Sequence, residues 1–180
     1  MVCGCASQCL RLRESRENNR GLIVEDATLV FLVRGHPPTE ILIGFKKSGF
    51  GTGKYDGFGG KIEANETIEI AAARELWEES GIQVAVGDLK QVARLEFVFP
   101  AKPDWNQIVY AFLAEKWTGE PIETDEMQPA WFNTDSIPYD KMWDDSAYWV
   151  PLVLRGKRIE AIFTYKPDNA TVDTARISTL

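Results

Sequence analysis

The chain predicts an α/β fold in which a mixed sheet lies between helices. Apolar, β-rich runs recur on both sides of one amphipathic helical pattern beginning near Ile68, and a second helical pattern follows at 147–154. Between them, residues 107–117 alternate Ile108, Tyr110 and Phe112 against Val109, Ala111 and Leu113, apolar on both faces as a covered strand requires. With 180 residues the chain suits one compact domain with a sizeable core.

Residues 1–21 form a flexible extension carrying Arg11, Arg13, Arg16 and Arg20, and the composition turns apolar at Leu22, which opens a domain over 22–180. Cys3, Cys5 and Cys9 all fall in the extension, so a reduced tail is expected and disulfides do not staple the domain. The extension has no signal-peptide h-region, and no run approaches the ~20 apolar residues of a membrane helix. Its arginines suggest a mitochondrial presequence, but Glu14 and Glu17 oppose one, leaving the cytoplasm as the expected compartment. Hydrophobic residues make up 44% and aromatics 11%, which excludes a mostly disordered chain. A net charge of -7 argues against a nucleic-acid polymer as ligand, because phosphate backbones need a basic surface.

Strands at 27–33 and 41–45 are joined by a proline-containing turn that holds His36, the only histidine. Proton transfer therefore falls to carboxylates. Residues 46–60 contain six glycines, which permit tight turns or close backbone approach to a ligand. Phe50, Tyr55 and Phe58 in that run would be costly to leave exposed. Strands at 91–99 and 107–117 flank the loop 100–104, and an acidic loop at 123–129 precedes a short strand at 130–132. An acidic side chain of that loop could reach a metal site. Asp144 or Asp145 is expected to cap the helix Ala147–Leu154, with ligand binding as the alternative, and Pro151 should bend that helix or mark its start. Residues 159–165 and 171–177 close the fold as a hairpin.

The chemistry concentrates on the first helix. Glu75, Glu78 and Glu79 stand at i, i+3 and i+4, which gathers three carboxylates on one stripe. A hard divalent cation such as Mg²⁺ or Mn²⁺ suits them, completed by the phosphates of a ligand, whereas the bland alternative is a solvated acidic face. Ile68, Ala72 and Leu76 form an apolar stripe that can lie on the sheet, and Gly81 can close the helix in the left-handed conformation. Arg74 is placed to orient a carboxylate.

The spacing Gly60, five residues, Glu66, seven residues, Arg74-Glu75-Leu76-x-Glu78-Glu79-x-Gly81-Ile82 resembles the Nudix box, unbroken over 23 residues. That family implies an α/β/α sandwich and metal-dependent hydrolysis of a nucleoside diphosphate linked to another group. The runs Phe45–Gly53, Gly57–Lys61, Asp125–Phe132, Met142–Trp143 and Tyr148–Leu152 extend the resemblance, over roughly 27–178, to the animal MutT-type branch that sanitises oxidised purine nucleoside triphosphates. The resemblance implies that the Gly59 carbonyl with Glu75, Glu78, Glu79 and Glu126 binds metal, with Glu75 or Glu79 as the base. It implies attack at the β-phosphorus of substrates such as 8-oxo-dGTP or 2-hydroxy-dATP, releasing the monophosphate and pyrophosphate, by a protein expected to be monomeric. The purine pocket it implies is built from Thr28, Lys46, Phe50, Asp56, Trp143, Asp144 and Asp145, beside Phe58, Gly59, Gly60 and Lys61.

Two positions depart from that branch. Asp56 stands where relatives carry an asparagine, and an ungapped match puts Asp145 and Ser146 on their two pocket aspartates, whereas a one-residue shift would put Asp144 and Asp145 there. An amide donates a hydrogen bond where an ionised carboxylate only accepts. Asp56 is therefore expected either to stay protonated or to favour a base with an exocyclic amine. Other readings are a Nudix hydrolase of ADP-ribose or a dinucleoside polyphosphate, and a non-catalytic nucleotide-binding module. The intact Glu75, Glu78 and Glu79 count against the last.

Overall fold

The structure is a computed structural model that describes residues 24–180, so the cysteine-bearing extension and the boundary at Leu22 lie outside the described residues. Strand β1 (Glu25–Arg34) turns back into β2 (Glu40–Lys46), antiparallel with Leu32 opposite Leu42. Two further strands pair antiparallel with β2, the nearby β3 (Tyr55–Asp56) and the sequence-distant β6 (Met127–Asn133). Strand β4 (Lys90–Val98) pairs antiparallel with β5 (Gln107–Ala114), and β5 runs parallel to β1. The hairpin of β7 (Ile159–Tyr165) and β8 (Val172–Thr179) joins through a parallel β4–β7 pairing. The order is β3-β2-β1-β5-β4-β7-β8, a mixed sheet as predicted.

Helices α1 (Ile68–Ser80) and α2 (Ser146–Leu154) contribute to separate cores. Alternation along β1 explains the division, since successive side chains point to opposite faces. Val30 and Leu32 join Ala72 and Leu76 of α1, while Phe31 and Val33 join Trp149, Val150 and Val153 of α2. Each large apolar side chain so buried contributes roughly 1.5–3 kcal/mol. The helix α1 is held at both ends. The Thr67 hydroxyl accepts from the Ile70 N–H at 3.3 Å, and Gly81 at φ 73° donates its N–H to the Trp77 carbonyl.

Some expectations shift. Strand β6 runs over seven residues, because it pairs along all of β2. Strand β5 stops at Ala114, and Trp117 lies beyond it against Trp131, with the Arg34 guanidinium over both rings. Pro151 sits inside α2 rather than at its start. Phe58 is fully buried and Tyr55 half-buried, but Phe50 is 44% exposed, for it stands at the mouth of a cavity.

Candidate active site

The glycine run reaches α1 by passing close to β1. Thr28 donates its N–H to the Gly60 carbonyl at 2.8 Å, and a Cβ on Gly59 would run into the Thr28 carbonyl. On Gly60 a Cβ would lie 2.6 Å from the Glu75 carboxylate. Glycine at both positions is thus a matter of space rather than flexibility.

Arg74 organises the outer carboxylates as expected. Its guanidinium donates to Glu66 at 2.7 and 3.2 Å, to Glu75 at 2.8 Å, to Glu78 at 3.1 Å and to the Lys61 carbonyl at 3.2 Å. Glu79 is 3% exposed and accepts from the Lys46 ammonium at 2.7 Å and the Gly59 N–H at 2.8 Å. Burial raises the pKa of both Glu75 and Glu79, and the neighbouring Arg74 and Lys46 oppose that rise.

Glu78 and Glu126 are exposed, and Glu126 is engaged through its carbonyl, which accepts from the Lys47 N–H at 2.7 Å. Among the described residues no three His, Cys, Asp or Glu side chains stand together in a ligating arrangement. The donors nevertheless fit a hard divalent cation by their chemistry, being carboxylate and carbonyl oxygens. Two of them are carboxyls whose charged form burial disfavours and a cation would restore.

Beside this helix lies a cavity of about 380 Å³. Of the predicted pocket, Thr28, Lys46, Phe50, Asp56, Gly59, Gly60, Lys61, Trp143 and Asp145 line it. Lys46 also carries the Glu79 ion pair, and Lys61 reaches out to Glu25 at 2.7 Å. Phe50 stacks on Trp143 with ring centroids 5.1 Å apart and planes 19° from parallel.

Two aspartates stand in the wall, Asp145 buried and Asp56 half-buried, with no cation bonded to either. Asp145 is 4% exposed and accepts from the Trp149 indole N–H at 2.8 Å and from the Tyr165 hydroxyl. Asp56 accepts the Gly57 N–H at 2.8 Å. Burial pushes Asp56 up to about 7, with the charge of Asp145 adding to the rise. Burial likewise pushes Asp145 up to about 6 against its two donors.

Two predicted pocket residues lie elsewhere. Phe58 is 0% exposed among Leu42, Leu76 and Met127 on the α1 side, since its backbone pairs with Val30 in both directions and turns the ring under the sheet. Asp144 accepts the Val172 N–H at 2.8 Å and so ties the start of α2 to β8. Asp145 stands at the N-cap position of α2 as expected, but with helical dihedrals and without a capping bond from its side chain, because its carboxylate accepts from Trp149 and Tyr165 instead. Sequence reasoning missed Phe97, Phe99, Trp105, Trp149 and Tyr165 as lining residues. For Phe97 and Phe99 the i, i+2 spacing was a usable signal that both face one side; for Trp105 there was none.

A glycine-fed helix bearing glutamates, set beside a nucleotide-sized cavity, defines the class. The chain belongs to the Nudix family of hydrolases, whose NUDIX domain model matches residues 16–153. It is 43% identical over 146 residues to the oxidized purine nucleoside triphosphate hydrolase of Danio rerio, covering 81% of this chain and 90% of that one. The enzyme of the same name from Mus musculus is 42% identical over 139 residues, covering 77% and 85%. The crystal structure of a MutT protein from Bacillus halodurans superposes with a TM-score of 0.74 at 24% identity, over 86% of this chain and 98% of that one, and supports the fold. Nudix hydrolases generally use divalent metal ions.

Proposed function

We propose that the protein hydrolyses oxidised purine nucleoside triphosphates, such as 8-oxo-dGTP or 2-hydroxy-dATP, to the monophosphate and pyrophosphate, removing damaged nucleotides from the precursor pool. One observation carries the reading. The cavity lined by aromatic rings, Asp56 and Asp145 also takes in Gly59, whose N–H donates to Glu79 at 2.8 Å, and Gly60, where a Cβ would meet the Glu75 carboxylate. A base held in the cavity would therefore run its phosphates toward the glutamate helix. The relatives named as oxidized purine nucleoside triphosphate hydrolases support the same substrate class.

In this reading the Gly59 carbonyl, Glu75, Glu78, Glu79 and Glu126 hold Mg²⁺, with Mn²⁺ able to replace it. Bound there, the cation neutralises phosphate charge and stabilises the leaving oxygen. The chain's own residues do the rest. Glu75 or Glu79 takes the proton of the attacking water, and burial raises the proton affinity of both toward that of a useful base. Arg74 locks Glu75 from one side, and Gly60 leaves the space that Glu75 needs. Lys46 holds Glu79 and lies at the cavity wall, where it can also meet a phosphate.

Phe50 and Trp143 offer π-faces to the base, and Asp56 and Asp145 read its polar edge. Asp56, which burial pushes up to about 7, can donate to the base from its protonated form. The protein acts as a monomer in the cytoplasm without a nucleic-acid partner; among the described residues no helix is long and apolar enough to cross a membrane.

The test is pyrophosphate release with Mg²⁺ from 8-oxo-dGTP, 2-hydroxy-dATP, dGTP, dATP and ADP-ribose in parallel. A preference for the oxidised purines is expected. Turnover of ADP-ribose alone, or of ordinary nucleotides without preference, would move the protein to another Nudix substrate class.

A further inference from the structure

The loop between β4 and β5 carries an aromatic side chain that the chemistry above leaves unused. Trp105 packs against the edge of the α2-side core, is only partly buried, and lines the cavity with its remaining surface. The loop holds it firmly. The Trp105 N–H donates to the Lys102 carbonyl at 2.9 Å, the Lys102 N–H to the Phe99 carbonyl at 3.0 Å, and the Asn106 side chain accepts the Phe99 N–H at 2.7 Å.

The indole meets Phe50 edge-on at 5.0 Å and 90°, and Phe99 at 5.6 Å and 82°. The Lys102 ammonium lies 3.9 Å from its ring centre and covers one face. Phe50, 44% exposed, therefore touches two indoles brought from distant parts of the chain, Trp105 at its edge and Trp143 at its face. Phe50, Trp105 and Trp143 all line the cavity, so a planar heterocycle held there can meet aromatic carbon from three separate segments. Such contacts reward ring area, so a bicyclic base gains more than a monocyclic one.

We propose that Trp105 is a base-contacting, specificity-determining residue that works with Phe50 and Trp143 to select a purine over a pyrimidine. The inference rests on the reading of the cavity as the base pocket. The experiment measures calorimetric binding of a purine nucleoside monophosphate, a pyrimidine nucleoside monophosphate and inorganic tripolyphosphate to the full chain and to Trp105→Leu, Trp105→Phe and Trp143→Leu. Trp105→Leu is expected to weaken the purine ligand about tenfold and the pyrimidine ligand less, and Trp105→Phe to recover most of the loss. Tripolyphosphate, which has no base, should bind Trp105→Leu as it binds the parent. In turnover the loss should appear in KM far more than in kcat.

Unchanged purine binding in Trp105→Leu, with a loss in Trp143→Leu, would overturn the inference and leave the pocket standing. Equal weakening of tripolyphosphate would also overturn it, because the loop would then be supporting the whole fold or the phosphate site. Unchanged purine binding in both leucine variants would remove the base-pocket reading itself.

Discussion

The protein keeps its buried carboxyls in two regions that treat them in opposite ways. At the glutamate helix, Glu75 is bonded to Arg74 and Glu79 to Lys46, so each charge faces a cation. In the cavity wall, Asp56 and Asp145 have only neutral donors, namely a backbone N–H, an indole and a phenol. In the first region those cations oppose the rise that burial gives each glutamate's pKa. In the second, burial pushes Asp56 up to about 7 and Asp145 up to about 6, so each can present a donor or an acceptor to a base. Burial alone thus does not define a carboxyl's role; the charge of its partners does.

The sharpest way to break this contrast is Glu79→Gln, which leaves the volume of the side chain but removes its charge. Pyrophosphate release should fall by roughly 10²–10⁴-fold, read from kcat/KM, with purine nucleoside monophosphate binding largely retained. An equal loss of both would mean that the two regions are not separable.

Asp56→Asn probes the other side. Its folded pKa of about 7 lies above the ordinary 3.8, so its proton is bound more tightly in the folded state. The associated stability is full below pH ~4 and is lost as pH rises through about 7. The asparagine variant escapes that loss and should be more stable than the parent at pH 8, on the order of 3–4 kcal/mol at most, with the gap closing toward pH 4. Thermal unfolding at the two pH values measures it. Equal shifts at both would show that Asp56 is ionised throughout. In kcat/KM the same variant should move preference from adenine-type substrates such as 2-hydroxy-dATP toward 8-oxo-dGTP, and an unchanged ratio would end the reading in which Asp56 favours adenine-type bases.

A smaller effect separates packing from charge. Gly60→Ala places a methyl group against the Glu75 carboxylate and should lower kcat by about 10–100-fold while base affinity stays close to that of the parent. Smallest of all, Thr67→Ala removes the hydroxyl that accepts the Ile70 N–H and should destabilise the fold by ~1 kcal/mol, seen as a few degrees in Tm.

The two regions also differ in how much of them the sequence exposes. The glutamate helix is contiguous, so its stripe, its apolar face, the Gly81 stop and the orienting role of Arg74 follow from helical geometry and agree with the structure. The cavity draws on β1, β2, β3, β4, β5, β7, α2 and four of the segments between them, and its members run from Glu25 to Tyr165. Resemblance located many of them, but nothing local could say that Phe58 turns under the sheet or that Asp144 faces β8 while Asp145 faces the cavity.

The sequence by itself determined the α/β order, the alternation that feeds two cores, and the carboxylate stripe, because 3.6- and 2-residue periods are properties of the local chain. Only the tertiary structure decided which aspartate is buried, which cation each glutamate meets, and that Trp105 stands beside Phe50 at the cavity mouth. Those outcomes depend on strand register and on the distance between elements remote in sequence, and both are set by how the whole sheet packs against its helices.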